Sequence, residues 1–262
     1  MTIRGILLDL SGVLYVGSRA VPGAPQALAA LRETGLPLRF VTNTTRSTRA
    51  AIGEKLRGLG FAIEDGEIFT APAAVRAHLL EQGRRPFLLI HPELAPEFAD
   101  LDTTDPDAVV LGDAGEAFDY AHLNAAFRLL MAGAPLIAMG DNRYFMEDSG
   151  LSLDIGPFLR ALEYAADTRA LVLGKPAAGF FLGAVEALGC APDEVVMVGD
   201  DALADVQGAL AAGLAGVLVQ TGKYRPGDEA RIERPGAALA RDFPAWVADL
   251  LAGRDGAPLE NG

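Results

Sequence analysis

A single cysteine, Cys190, leaves the chain without an intrachain disulfide, which suits a reducing compartment and a small, half-apolar packing role for that residue. Lysine is nearly as scarce: Lys55, Lys175 and Lys223 are the only three, so each stands out against its surroundings. The histidines His78, His91 and His122 have no metal-ligand spacing, and no catalytic role is assigned to them. No apolar run reaches membrane-spanning length, and the first residues show no basic leader with a cleavage site, so a cytoplasmic protein is expected. Positive charge is also in deficit. A net charge of -13 repels nucleic acid and anionic membranes at long range, and an anionic substrate would need a local cationic device.

The chain of 262 residues, 50% apolar and 22% charged, has ample core for one large domain or two modest ones. Its first feature is the run Gly5-Ile6-Leu7-Leu8-Asp9-Leu10-Ser11-Gly12. An apolar stretch of this kind reads as a buried parallel strand that carries Asp9 to the carboxyl edge of a sheet, although a turn or helix-cap aspartate fits equally well at this point. Helical spacing over 26–34, a strand over 36–41, an amphipathic helix over 50–59 and a Thr70-capped helix to about 82 continue a βα alternation. The rhythm then changes. Strands at 87–91, 108–111 and 136–139, helices at 121–131 and 157–166, and turn-rich breaks predict an inserted α/β domain over 83–171, with core portions at 1–82 and 172–262. Strands at 171–173, 195–198 and 217–219 and helices at 179–188, 203–212 and 243–251 complete the second core portion, and the tail from 252 has little to bury.

Four of these strands end in chemically capable groups: Asp9 with Ser11, Thr42 with Asn43, Lys175, and Asp200 with Asp201 and Asp205. Each has a plainer explanation. Gly199-Asp200-Asp201 also reads as a turn and helix cap, Lys175 as a solvated loop residue, and Thr42-Asn43 as a cap for the next helix. Together they form the set that Mg²⁺-assisted phosphoryl transfer needs: oxygen ligands for the metal, a lysine to offset phosphate charge, and hydroxyl, amide and N–H donors for phosphoryl oxygens.

These stretches, with Gly174-Lys175-Pro176, resemble the ordered motifs of haloacid dehalogenase-type phosphatases. The insertion resembles the large α/β (type C2) cap of the branch that includes 4-nitrophenyl, pyridoxal and nucleotide phosphatases. Within it, the phrases 86–91, 113–118, 149–157 and 221–226 are most similar to the phospholysine phosphohistidine inorganic pyrophosphate phosphatases and their near neighbours. The resemblance implies a Rossmann-like α/β core with a parallel sheet and an inserted cap.

It also implies roles. Asp9 would be the nucleophile. Asp9, Asp200 and the Ser11 backbone carbonyl would hold Mg²⁺, Thr42 and Asn43 would hold phosphoryl oxygens, and Lys175 would neutralise both phosphate and nucleophile. Asp201 and Asp205 would support the metal's waters or Lys175. The substrate would be a small phosphorylated compound, and a homodimer is expected from the cap type. Ser11 departs from the superfamily, whose phosphatases mostly carry a second aspartate there as general acid and base. Its loss would favour leaving groups that need little protonation, with phosphohistidine, phospholysine, pyrophosphate and imidodiphosphate as candidates. The alternatives are a phosphatase for sugar, nucleotide or pyridoxal phosphates, or a catalytically weak phosphate-binding module. A second departure, Ala177-Ala178, removes a polar helix start. Asp113, Glu116, Asp141, Asn142 and Arg143 are the cap residues available to face a leaving group, each read more readily as a turn or surface residue.

Overall fold

The strand Gly5–Asp9 is buried at every position, because a parallel strand with sheet neighbours on both sides and helices over its faces must be apolar throughout. The computed structural model describes residues 3–147 and 150–253, with side chains at 146 and 147 excepted. It divides into two compact units, one of residues 1–42, 50–69 and 175–262, the other of 43–49 and 70–174. The tail expected to be loose from 252 lies, beyond residue 253, outside the described residues, as does Ser149 of the phrase at 149–157.

The first unit is built on a six-stranded sheet in the order Ala237–Ala240, Ala215–Val219, Val195–Gly199, Gly5–Asp9, Leu38–Thr42, Ile68–Thr70. Gly5–Asp9 pairs in parallel with Val195–Gly199 on one side and Leu38–Thr42 on the other, and the parallel pairing continues out to Ala237–Ala240. On one face Leu28 and Leu31 of the helix Ala24–Glu33 join Phe243, Trp246 and Val247 of the helix Phe243–Leu251 over Ile6, Leu8 and Phe40. Such side chains each contribute about 1.5–3 kcal/mol on burial, so this face supplies much of the unit's stability.

The second unit has its own parallel sheet, in the order Leu171–Val172, Leu136–Ala138, Ala108–Leu111, Pro86–Leu89. The helix Ala71–Glu81 belongs to this unit, where Arg76 pairs with Asp100, so the division falls at Thr70 rather than near residue 82. Thr70 caps that helix as expected, its hydroxyl accepting from the Ala73 N–H at 3.1 Å. Leu171–Val172 was expected to open the returning core; it pairs instead with Leu136–Ala138, and the chain re-enters the first unit at Lys175.

Short elements escape the periodicity. The hairpin Tyr15–Val16 with Arg19–Ala20, the strand Ile68–Thr70, the hairpin Tyr144–Glu147 with Gly150–Leu153, and the strand Ala237–Ala240 are all too short or too alanine-rich to announce themselves. The expected helix over 203–212 is in fact a π-helical stretch, Ala202–Gln207, followed by the short α-helix Gly208–Ala211. No helix among the described residues is long and apolar enough to cross a membrane.

Candidate active site

Asp9 closes the Gly5–Asp9 strand, and Asp200 follows Gly199 at the end of the neighbouring parallel strand, so the topology sets two carboxylates side by side at one sheet edge. Asp205 joins them from the π-helical stretch. One oxygen from each of Asp9, Asp200 and Asp205 lies within 4.8 Å of the others, and all three side chains are buried. Irregular helical turns of this sort recur at functional sites because they re-aim a side chain, as this one does with Asp205.

Lys175 reaches the same place without a strand of the six-stranded sheet. It sits in the Gly174-Lys175-Pro176 loop that leads to the helix Ala178–Glu186, and its ammonium donates to Asp9 Oδ1 at 2.5 Å and to Asp205 Oδ1 at 2.6 Å. At 4% exposure it is buried in a chain that has only two other lysines. Burial works against its charge, but the carboxylates of Asp205 and Asp9 outweigh that and hold Lys175 protonated above its ordinary range. That helix begins at Ala177 with no side-chain cap, in keeping with the departure noted in the sequence.

The acidic residues are pushed the other way. Burial, reinforced by Asp205, raises Asp9 to about 6 despite Lys175, and burial with repulsion from Asp9 and Asp205 raises Asp200 to about 8. With all three buried carboxylates ionised, one ammonium leaves two negative charges over, which a divalent cation would offset. The donors are all hard oxygens, the set that Mg²⁺ takes. Asp205 is drawn toward Lys175 and accepts the Asp201 N–H at 3.1 Å, which leaves Asp9 and Asp200 as the less committed pair.

The plainer reading holds for part of Gly199-Asp200-Asp201. The Asp201 side chain caps the π-helical stretch, accepting from Leu203 N and Ala204 N at 3.0 and 2.9 Å, and its tie to Lys175 runs through its backbone N–H and Asp205. Thr42 is buried at the end of Leu38–Thr42, while Asn43 groups with the second unit. The next helix starts only at Arg49. Ser11 is exposed and places no carboxylate beside Asp9.

A brace around Asp200 carried no assigned role in the sequence. Lys223 N–H donates to Asp200 Oδ2 at 2.7 Å, and the Thr221 hydroxyl donates to the Gly12 carbonyl. Gly12 (φ +90°) and Gly222 (φ +62°) occupy left-handed backbone, and a Cβ at either would overlap the Asp200 carboxylate. The available signals were the scarcity of lysine, at Lys223, and the resemblance of the phrase 221–226.

In the second unit, Asp113 is buried against Arg46, whose Nε lies 2.5 Å from Asp113 Oδ2 and whose guanidinium covers the Phe145 ring at 4.6 Å. Asp141 pairs with Arg160, the Asn142 side chain bonds Asp154, and Glu116 and Arg143 are exposed. His91 caps the short helix Pro92–Phe98 and His122 pairs with Asp119.

Known proteins match this chain in family and in fold. Residues 6–104 match the haloacid dehalogenase-like hydrolase family and residues 172–246 a HAD-hydrolase-like family. The chain is 48% identical over 249 residues to human haloacid dehalogenase-like hydrolase domain-containing protein 2, covering 95% of this chain and 96% of that one. It is 46% identical over 234 residues to human phospholysine phosphohistidine inorganic pyrophosphate phosphatase, covering 87% and 86%. Among solved structures, the 4-nitrophenylphosphatase from Thermotoga maritima superposes with a TM-score of 0.86 at 28% identity, over 94% of this chain and 97% of that one. The chain belongs to the haloacid dehalogenase-like hydrolases.

Proposed function

We propose that the chain is a Mg²⁺-dependent phosphatase that hydrolyses small phosphorylated compounds through an aspartyl-phosphate on Asp9. The observation that carries this reading is the buried Lys175 ammonium shared between Asp9 and Asp205, with Asp200 alongside. A buried carboxylate with a fixed cation beside it is a nucleophile in a setting that tolerates an incoming anion. Kinship with proteins named phosphatases supports it.

Asp9 and Asp200, with the Ser11 backbone carbonyl, would hold the metal. When bound, Mg²⁺ offsets phosphoryl charge as a Lewis acid. Asp9 attacks phosphorus, the leaving group departs with its bonding pair, and water then cleaves the acyl phosphate to return Asp9 and inorganic phosphate. Lys175 keeps Asp9 oriented and offsets charge as the phosphoryl group arrives, and Thr42 and Asn43 donate to phosphoryl oxygens. Asp205 holds Lys175 in place.

Ser11 supplies no carboxyl proton to the leaving group. General acid help is worth about 10²–10⁴ in rate, so the substrates that suffer least are those whose leaving group departs as a good anion or already carries a proton. Pyrophosphate and the phosphoramidates phosphohistidine, phospholysine and imidodiphosphate meet that condition better than alkyl, sugar or nucleotide monoesters. Phosphate release from imidodiphosphate, phospholysine, pyrophosphate and pyridoxal phosphate, each with and without Mg²⁺, tests the reading. Release from the first three that is Mg²⁺-dependent and lost in Asp9→Asn is expected. Preference for pyridoxal phosphate would move the chain to the monoester class, and no release from any would make it a phosphate-binding module.

A further inference from the structure

The first unit's acidic site has two lysines, and they are held to different degrees. Lys175 is buried between Asp9 and Asp205 with two short ion pairs, so its charge serves only the phosphoryl group that reacts at Asp9. Lys223 is different. Its backbone is pinned to the site by the N–H bond to Asp200 and by Gly222, whose Cα has no room for a side chain against Gly12 and Asp200. Its side chain is 70% exposed, and its ammonium makes one long pair, 3.7 Å, with Asp201 Oδ2. A pair of that length and exposure is worth little and is readily exchanged.

The charge balance gives that ammonium a task. A divalent cation together with Lys175 offsets the three buried carboxylates, which leaves an arriving phosphoryl group little spare positive charge. A second phosphate on the same substrate would bring further negative charge to a protein that already carries -13. Among the described residues of the first unit, Lys223 is an exposed, anchored cation beside the acidic cluster. We propose that Lys223 is a specificity-determining residue that binds the second anionic group of a diphosphate-type substrate, releasing Asp201 to do so. This rests on the phosphatase reading and deepens it, since it selects P–O–P and P–N–P substrates over monoesters of neutral alcohols by attraction rather than by leaving-group chemistry. Asp201 keeps its role as a cap, whose bonds to Leu203 and Ala204 use its other oxygen.

The test uses non-hydrolysable probes and the full chain with Mg²⁺. Methylenediphosphonate carries two phosphonates and methylphosphonate one, and calorimetry or inhibition of 4-nitrophenyl phosphate hydrolysis reads their affinities. Lys223→Gln is expected to weaken methylenediphosphonate about tenfold, as loss of one charge-assisted hydrogen bond does, and to change methylphosphonate less than twofold. Lys223→Arg keeps the cation and is expected to stay near wild type. Equal weakening of both probes by Lys223→Gln, no weakening of either, or a wild type that does not distinguish them would each overturn the proposal, as would failure of Lys223→Arg to preserve the preference. Hydrolysis of 4-nitrophenyl phosphate separates the two readings. If it survives while the probe preference is absent, only the role of Lys223 falls; if wild type shows none with any substrate, the phosphatase reading falls with it.

Discussion

The Lys175 ammonium lies 2.5 Å from Asp9 Oδ1, with both side chains more than nine-tenths buried and 166 residues between them in sequence. A charge pair so enclosed is costly to break from one side. Lys175→Met leaves Asp9 and Asp205 facing each other without a counter-charge, and loss of one partner of a buried pair costs about 3–5 kcal/mol. Urea denaturation of the metal-free variant is expected to show that loss, together with phosphate release reduced to background. A variant as stable as wild type would mean that the pair is not formed in solution.

The raised carboxylates predict how stability responds to pH and metal. Asp9 at about 6 and Asp200 at about 8 both stand above their ordinary 3.8, so protonation favours the folded state. That contribution is complete below the ordinary value and is lost as pH rises through the two raised values. Metal-free protein is therefore expected to melt progressively lower between about pH 5 and pH 8.5, and Mg²⁺ to recover most of the loss by binding the folded state alone. Asp200→Asn should melt higher than wild type at pH 8 without metal and gain almost nothing from Mg²⁺. Differential scanning calorimetry across that range decides it.

Ser11 is exposed, so an added carboxylate meets no packing penalty there. Ser11→Asp is expected to raise turnover of an alkyl phosphate relative to pyrophosphate by about tenfold or more, part of the ~10²–10⁴ that a full general acid supplies. An unchanged ratio would show that leaving-group protonation does not set the substrate range.

Arg46 and Asp113 make the corresponding test in the second unit. Asp113 is 4% exposed and keeps, besides Arg46, the Gly115 N–H at 3.0 Å. Arg46→Ala is expected to destabilise by about 1–3 kcal/mol, and adding Asp113→Asn to recover most of it, because the cost is that of a stranded carboxylate. Chemical denaturation of the single and double variants measures the coupling.

Some of this was legible without a structure. Apolar runs ending in Asp9, Thr42 and Asp200 identify parallel strands and the sheet edge that carries the polar residues, since a strand buried on both faces has nowhere to put a polar residue except its end. Lys175 was legible as a candidate residue but not by its route: Leu171–Val172 looks like a core strand, yet pairs with Leu136–Ala138 in the other sheet. Ala237–Ala240 was hidden because alanine has no strand preference, and only pairing with Ala215–Val219 makes it one.

By itself the sequence determined the βα alternation and the residue types at the strand ends, Ser11 among them, because each is written in a local run of a few residues. Tertiary structure alone decided which sheet each strand joins, that Asp205 rather than Asp201 shares Lys175 with Asp9, and that the loop at Thr221–Lys223 braces Asp200. Those relationships depend on contacts between residues far apart in the chain, and local patterning carries no information about which distant partner closes them.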